Sequence, residues 1–142
     1  GAEATVVAIM MARKGFSQAE IKEKISNEYY NLDFTIDEIR DTYHFNETSQ
    51  DTVPQAIQCF LEATSFEDAI RIAISLGGDS DTIAAITGPI AEAYYGVPKS
   101  IKSKALMYLD DDLREIYDQW EIFIGNSTDS HVAHITLERK VL

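Results

Sequence analysis

The sequence predicts an all-α protein, an orthogonal bundle of about seven to eight helices followed by a tail that is either a short extended segment or unstructured. Three observations predict it. Helix start signals, a Ser, Thr or Asp with an acidic residue three positions on, recur along the chain. Apolar residues return every three or four positions, not every second one, until the last dozen residues. Glycines and prolines stand where these runs begin or end.

Taken in order, Ala2 to Arg13 is apolar on all sides through Val6-Val7-Ala8-Ile9-Met10-Met11, which predicts a buried helix stopped by Gly15. Ser17 and Glu20 form a capping-box pattern for a second helix, whose Ile21, Ile25 and Tyr29 share a face. Thr35-Ile36-Asp37-Glu38 opens a short third helix toward Tyr43. His44 to Thr52 is polar and reads as a loop ending in the cap of the next helix. Pro54 then falls in a first turn, where a missing N–H is tolerated, and the helix continues through Ile57, Phe60 and Leu61. Ser65, with Asp68 three residues later, starts a helix that stops at Gly77-Gly78, since glycine enters the left-handed conformation cheaply. The next helix starts at Asp79 and runs toward Tyr95 and Gly96. Its small residues imply close packing, and Gly88-Pro89 implies a bend or a close approach. A basic stretch from Lys99 to Lys104 follows Pro98 and reads as a solvated face. Asp110-Asp111-Asp112 caps a last helix to Ile124. Residues 1–124 form one domain on this reading, and 125–142 a tail without an indicated role.

Composition narrows the function classes. The 142 residues are 45% hydrophobic, ordinary for a globular domain, and no run is long and apolar enough to span a membrane. Twenty-four acidic residues against twelve basic ones give a net charge of -12. Such a surface repels phosphate backbones and anionic lipid, which excludes nucleic acid and membranes as partners. The first residues carry no basic stretch of the signal-peptide kind, and Cys59 has no second cysteine to pair with. A reducing, cytoplasmic setting is expected, with Cys59 a small buried hydrophobe and not a nucleophile.

The chemistry-bearing residues are at the double glycine. With Asp79 at the cap of a helix, Asp81 and Thr82 fall in its first turn. Two carboxylates and a hydroxyl at one helix pole offer oxygen donors to a hard cation such as Mg²⁺. Gly77 and Gly78, lacking side chains, leave room for a ligand to approach the backbone. The competing explanation is purely structural: Asp and Ser favour helix starts by capping N–H donors and matching the dipole. Other candidates are weaker. His131 and His134 are three apart but have no third ligand in view, and Asn126-Ser127-Thr128 is a glycosylation sequon without a secretory context. Tyr94, Tyr95 and Trp120 fall at spacings typical of core or interface packing.

The string Ser75-Leu76-Gly77-Gly78-Asp79-Ser80-Asp81-Thr82-Ile83-Ala84-Ala85-Ile86-Thr87-Gly88, continued through Pro89 to Pro98, resembles the C-terminal metal motif of the ADP-ribosylglycohydrolase family. Gly1 to Thr5 and Asp51 to Ile57 extend the resemblance, which covers residues 1 to about 124. It implies an all-α fold and a two-metal Mg²⁺ centre, with Mn²⁺ as a substitute, that binds ADP-ribose and hydrolyses its glycosidic bond to an acceptor. By the same resemblance Asp79, Asp81 and Thr82 would be metal ligands, and Gly77, Gly78, Ser80, Thr52 and Val53 would line the substrate approach. Family members are longer, and their N-terminal half supplies the other ligands and the acid/base carboxylate; this sequence has no matching segment. Metal binding by this chain alone is therefore expected to be weak, with like-charge repulsion raising the pKa of Asp79 or Asp81. A complementing N-terminal half or a second copy is expected to cover Ala2–Arg13. The alternative from another class is a truncated, catalytically inactive module that binds nucleotide or oligomerises through that helix.

Overall fold

A computed structural model of the chain describes residues 1–45 and 48–138, with side chains described through residue 125. Its described residues form eight helices and no strand: α1 (Ala2–Arg13), α2 (Gln18–Glu28), α3 (Ile36–Ile39), α4 (Ser49–Glu62), α5 (Phe66–Ser75), α6 (Ser80–Tyr95), α7 (Lys99–Leu106) and α8 (Asp111–Glu138). The all-α fold agrees with the helical start and stop signals. The chain divides into two compact units, Gly1–Pro98 and Lys99–Leu142.

In the first unit the caps form where the local chemistry places them. The Ser17 hydroxyl accepts from the Glu20 N–H while the Glu20 carboxylate accepts from the Ser17 N–H, and Thr35 with Glu38 repeats the exchange. Both glutamates are thereby held below the usual carboxylate range. The Ser65 hydroxyl accepts from the Asp68 N–H at the start of α5, and the Asp68 carboxylate accepts from the N–H and hydroxyl of Thr64. Gly77 and Gly78 take φ of +76° and +58°, ending α5 as expected.

Helices α4 and α6 form the centre of this unit, with α5 and α1 packed on them. Their pairing can be read from three contacts. The buried Thr87 hydroxyl donates to the Ala56 carbonyl at 2.8 Å, the Tyr95 hydroxyl to the Ala63 carbonyl at 2.6 Å, and the first turns of both helices line one cavity. A constant offset of 31–32 residues along the pair means that α4 and α6 run side by side in the same direction. At their far ends the Gln18 amide nitrogen donates toward the carbonyls of Phe60, Leu61 and Ala63, and Tyr94 and Tyr95 pack edge-on against Phe60. Cys59 is fully buried among Ile36, Ala56, Ala73, Leu76 and Ile83. Burial pushes its thiol up to about 12, so it is an inert core residue as expected.

Several expectations are corrected. Helix α1 is not buried all round: Ala4, Ala8 and Ala12 form the buried stripe, while Val6 and Met10 are half exposed. Apolar content overstated its burial because the smallest side chains, four apart, make the contact. Helix α4 starts earlier than expected, with Thr48 at its cap. Pro54 therefore lies in the second turn and removes the N–H that a regular helix aims at the Gln50 carbonyl. At Gly88 a Cβ would meet Ile70 Cδ1 at 3.6 Å, ordinary packing, so no close approach requires that glycine.

In the second unit the Asp110 carboxylate accepts from the Leu113 N–H at the start of α8. The helix does not stop at Ile124 but continues to Glu138, where a link and an extended or unstructured tail were expected. A helical glycine such as Gly125 costs only about 1 kcal/mol and does not force a stop. Lys102 is no simple solvated lysine: it pairs with Glu121 at 3.2 Å and lies 5.4 Å from the Tyr117 ring centroid. Trp120 is exposed and pairs only with Phe123, not with a core, among the contacts described. The side chains of His131, His134 and the 126–128 sequon, together with Asn46 and Glu47, lie outside the described residues.

Candidate functional site

The site is built where α4 and α6 begin. A cavity of about 150 Å³ is lined by Thr48, Ser49, Thr52 and Val53 from the start of α4 and by Asp79, Thr82 and Ile86 from the start of α6. Four of the residues named from sequence, Asp79, Thr82, Thr52 and Val53, are thus brought together although about thirty positions separate the two groups. Thr48, Ser49 and Ile86 were missed. Placing the α4 start at Thr52 hid the first two, and Ile86 reads as an ordinary apolar position within α6.

Cap usage sets these two helices apart. Helices α2, α3 and α5 each use the N-cap side chain on a first-turn N–H, whereas Thr48 and Asp79, the N-cap residues of α4 and α6, make no such hydrogen bond. The Thr48 hydroxyl instead donates to the Asp51 carboxylate at 2.7 Å. The simplest structural explanation for Asp79, that its carboxylate is there to cap α6, is therefore not how the residue is used. Asp81 is exposed and outside the cavity lining, but its carboxyl is tied to the Asp79 side chain by a hydrogen bond. Its carboxyl is held below the usual range first by a hydrogen bond with the Asp79 side chain, then by the N–H groups of Asp81 and Thr82. The expected rise from like-charge repulsion does not describe Asp81, because these hydrogen bonds stabilise its ionised form.

The other residues named from sequence are placed differently. Ser80 is half-buried and does not line the cavity. Gly77 has nothing within 4 Å of the position a Cβ would take, so its backbone is open on that side. At Gly78 the space is occupied by the protein itself: a Cβ would lie 2.9 Å from Tyr43 Cε1 and 3.1 Å from the backbone of His44 and Phe45. Tyr43 was not singled out from sequence. Burial raises its hydroxyl, the Thr52 side chain opposes that shift, and Asp79 and Asp51 add to it through their charge. It thus lies within electrostatic reach of both walls of the cavity.

As a metal-holding set the residues fit in kind and fall short in number. Asp79, Asp81 and Thr82 offer hard oxygen donors at one helix pole, whereas Mg²⁺ takes about six in near-octahedral arrangement. Among the described residues no three His, Cys, Asp or Glu side chains form a cluster that could hold a metal ion. No helix among them is long and apolar enough to cross a membrane.

Fold and site together define an all-α protein with a small polar cavity and acidic and hydroxyl oxygens at the paired starts of two parallel helices. The ADP-ribosylglycohydrolase family model matches residues 3–130, and the chain belongs to that family. Among curated proteins, ADP-ribosylhydrolase ARH3 of Homo sapiens is 39% identical over 77 residues, covering 44% of this chain and 21% of the relative. The ARH3 of Danio rerio is 32% identical over 83 residues, covering 47% and 22%. ADP-ribosylarginine hydrolase Tri1 of Serratia proteamaculans (strain 568) is 44% identical over 52 residues, covering 34% and 14%. The chain spans about a fifth of the length of the first of these relatives. No solved structure matches it.

Proposed function

We propose that this chain contributes one side of a Mg²⁺-dependent site that hydrolyses the glycosidic bond between ADP-ribose and an acceptor. The observation that carries the reading is the convergence of Asp79 and Thr82 with Thr52 and Val53 on one cavity, in a chain of this family. Asp79, Asp81 and Thr82 would hold the metal. Bound divalent ions would polarise ribose oxygens and lower the pKa of a water. The protein's own part is positional. Asp79 lines the cavity without its side chain serving the helix as a cap, Thr82 lines it one turn on, and the α4 start closes the opposite wall. The remaining oxygen donors and the acid/base carboxylate would come from a complementing segment, with substrate and water filling other positions. ADP-ribosylated protein or a small ADP-ribosylated molecule is the substrate class, in a reducing cytoplasmic setting that suits the buried thiol of Cys59.

The test is hydrolysis of ADP-ribosylated arginine and serine peptides with Mg²⁺ or Mn²⁺, with and without a complementing N-terminal polypeptide. Turnover is expected only with the complement and is expected to be lost in Asp79→Asn. Turnover that survives Asp79→Asn would remove this site from the reaction. A second reading, a non-catalytic nucleotide-binding or oligomerising module, draws on the half-exposed Val6 and Met10 of α1. Sedimentation across a concentration series separates the two, since a strict monomer that turns over substrate with the complement excludes the second.

A further inference from the structure

We infer that Tyr43 is a positioning residue of this site: its ring, wedged between Gly78 and the start of α4, sets the spacing between the two walls of the cavity. The inference rests on the reading of Asp79 and Thr82 as ligand-contacting residues. Its geometry is independent of that reading.

Three observations support the wedge. The left-handed Gly78, one residue before Asp79, has no room for a side chain because Tyr43 Cε1 stands 2.9 Å from where its Cβ would be. The Tyr43 hydroxyl is buried beside Thr52, close enough to interact with it but without a hydrogen bond of good geometry. Tyr43 also packs against the cluster that contains Ala56 of α4 and Ile83 of α6, the next turns of both walls. One aromatic side chain therefore touches the Gly78–Asp79 turn at one end and approaches the α4 start at the other. A rigid ring does this better than an aliphatic chain, because it has two χ angles and no internal bend. The Gly78 position then owes its glycine to the ring behind the site, whereas Gly77 is the one left open on its outer side.

The experiment uses the ¹⁵N-labelled full chain with Tyr43→Leu, Tyr43→Phe and, as a control in the same buried cluster, Ile36→Val. Tyr43→Leu is expected to move the amide resonances of both walls, residues 79–82 and 48–53, without metal present. Tyr43→Phe keeps the ring and is expected to move Thr52 while leaving 79–82 in place. Ile36→Val is expected to lower stability without moving either wall. Walls that stay put in Tyr43→Leu, or move no more than in Ile36→Val, overturn the inference. Should Tyr43→Leu fail to fold, Gly78→Ala presses on the same ring, and unchanged Tyr43 and Thr52 resonances there overturn it equally. A second arm adds Mn²⁺ and follows paramagnetic broadening at Asp79 and Thr82. Wild type and Tyr43→Phe are expected to broaden alike, and Tyr43→Leu to need about tenfold more Mn²⁺, as loss of an outer-shell support does. If Mn²⁺ broadens neither residue in the wild type, the metal reading fails, and the metal-free amide shifts still decide the wedge.

Discussion

Replacing Gly78 and Gly77 by alanine, one at a time, separates backbone strain from crowding at the turn that leads into the site. Both glycines are left-handed, at φ +58° and +76°. A left-handed alanine costs about 1–2 kcal/mol, offset by about 0.4–1 kcal/mol because the unfolded chain loses freedom too. Gly77→Ala meets nothing within 4 Å, so its net cost should stay near 1 kcal/mol. Gly78→Ala carries the same backbone cost and also drives a methyl to 2.9 Å from Tyr43 Cε1 and 3.1 Å from two backbone atoms. The ring can shift a little, but the backbone of His44 and Phe45 cannot yield cheaply. Overpacking of that kind adds about 1–3 kcal/mol, which brings the expected total to about 2–4 kcal/mol. For a unit the size of Gly1–Pro98, melting should fall by about 4–8 °C in Gly77→Ala and by about 8–30 °C in Gly78→Ala. Urea denaturation gives the two free energies directly. If Gly78→Ala costs no more than Gly77→Ala, the Tyr43 contact is not tight, and the crowding argument fails.

Other perturbations are equally direct. Thr87→Val keeps the side-chain size but removes the donor to the Ala56 carbonyl, and should cost about 1 kcal/mol in urea denaturation; an unchanged midpoint would show that this bond contributes nothing. Cys59 should resist iodoacetamide in the native protein and react only on unfolding. Its thiol is raised from 9.0 to about 12, so the unfolded state ionises first as pH rises. Stability should therefore fall between about pH 9 and 12, by at most about 1.4 kcal/mol per unit for this group, and Cys59→Ala should flatten that fall. Mg²⁺ calorimetry on this chain alone should give millimolar affinity or none; a tight site abolished by Asp79→Asn would refute the incomplete donor set.

What could be read from the sequence was local, and what could not was tertiary. Ser17 with Glu20, Thr35 with Glu38 and Ser65 with Asp68 act within a single turn, so their spacing alone places three helix starts. Gly77 and Gly78 end α5 for an equally local reason, their left-handed backbone. Thr48 with Asp51 has the same start spacing, but it lies inside the polar run from His44 to Thr52, which reads as a loop. The half-exposed face of α1 depends on which residues meet α6, and apolar content cannot report that. Within the site, Asp79 and Thr82 stand out by their motif, whereas Tyr43 acquires its place only when the chain brings residue 43 against residue 78.

The parallel run of α4 and α6 gives the cavity a mechanical character. The pair is fastened at mid-length by Thr87 and Ala56, and again at its far end by Gln18, Tyr95 and Ala63. Ahead of the Thr87 fastening, the leading turns of the two helices line the cavity from either side. The width of the cavity mouth is therefore inherited from fastenings set back inside the core, as the gap of a fixed pair of tongs follows from its pivot.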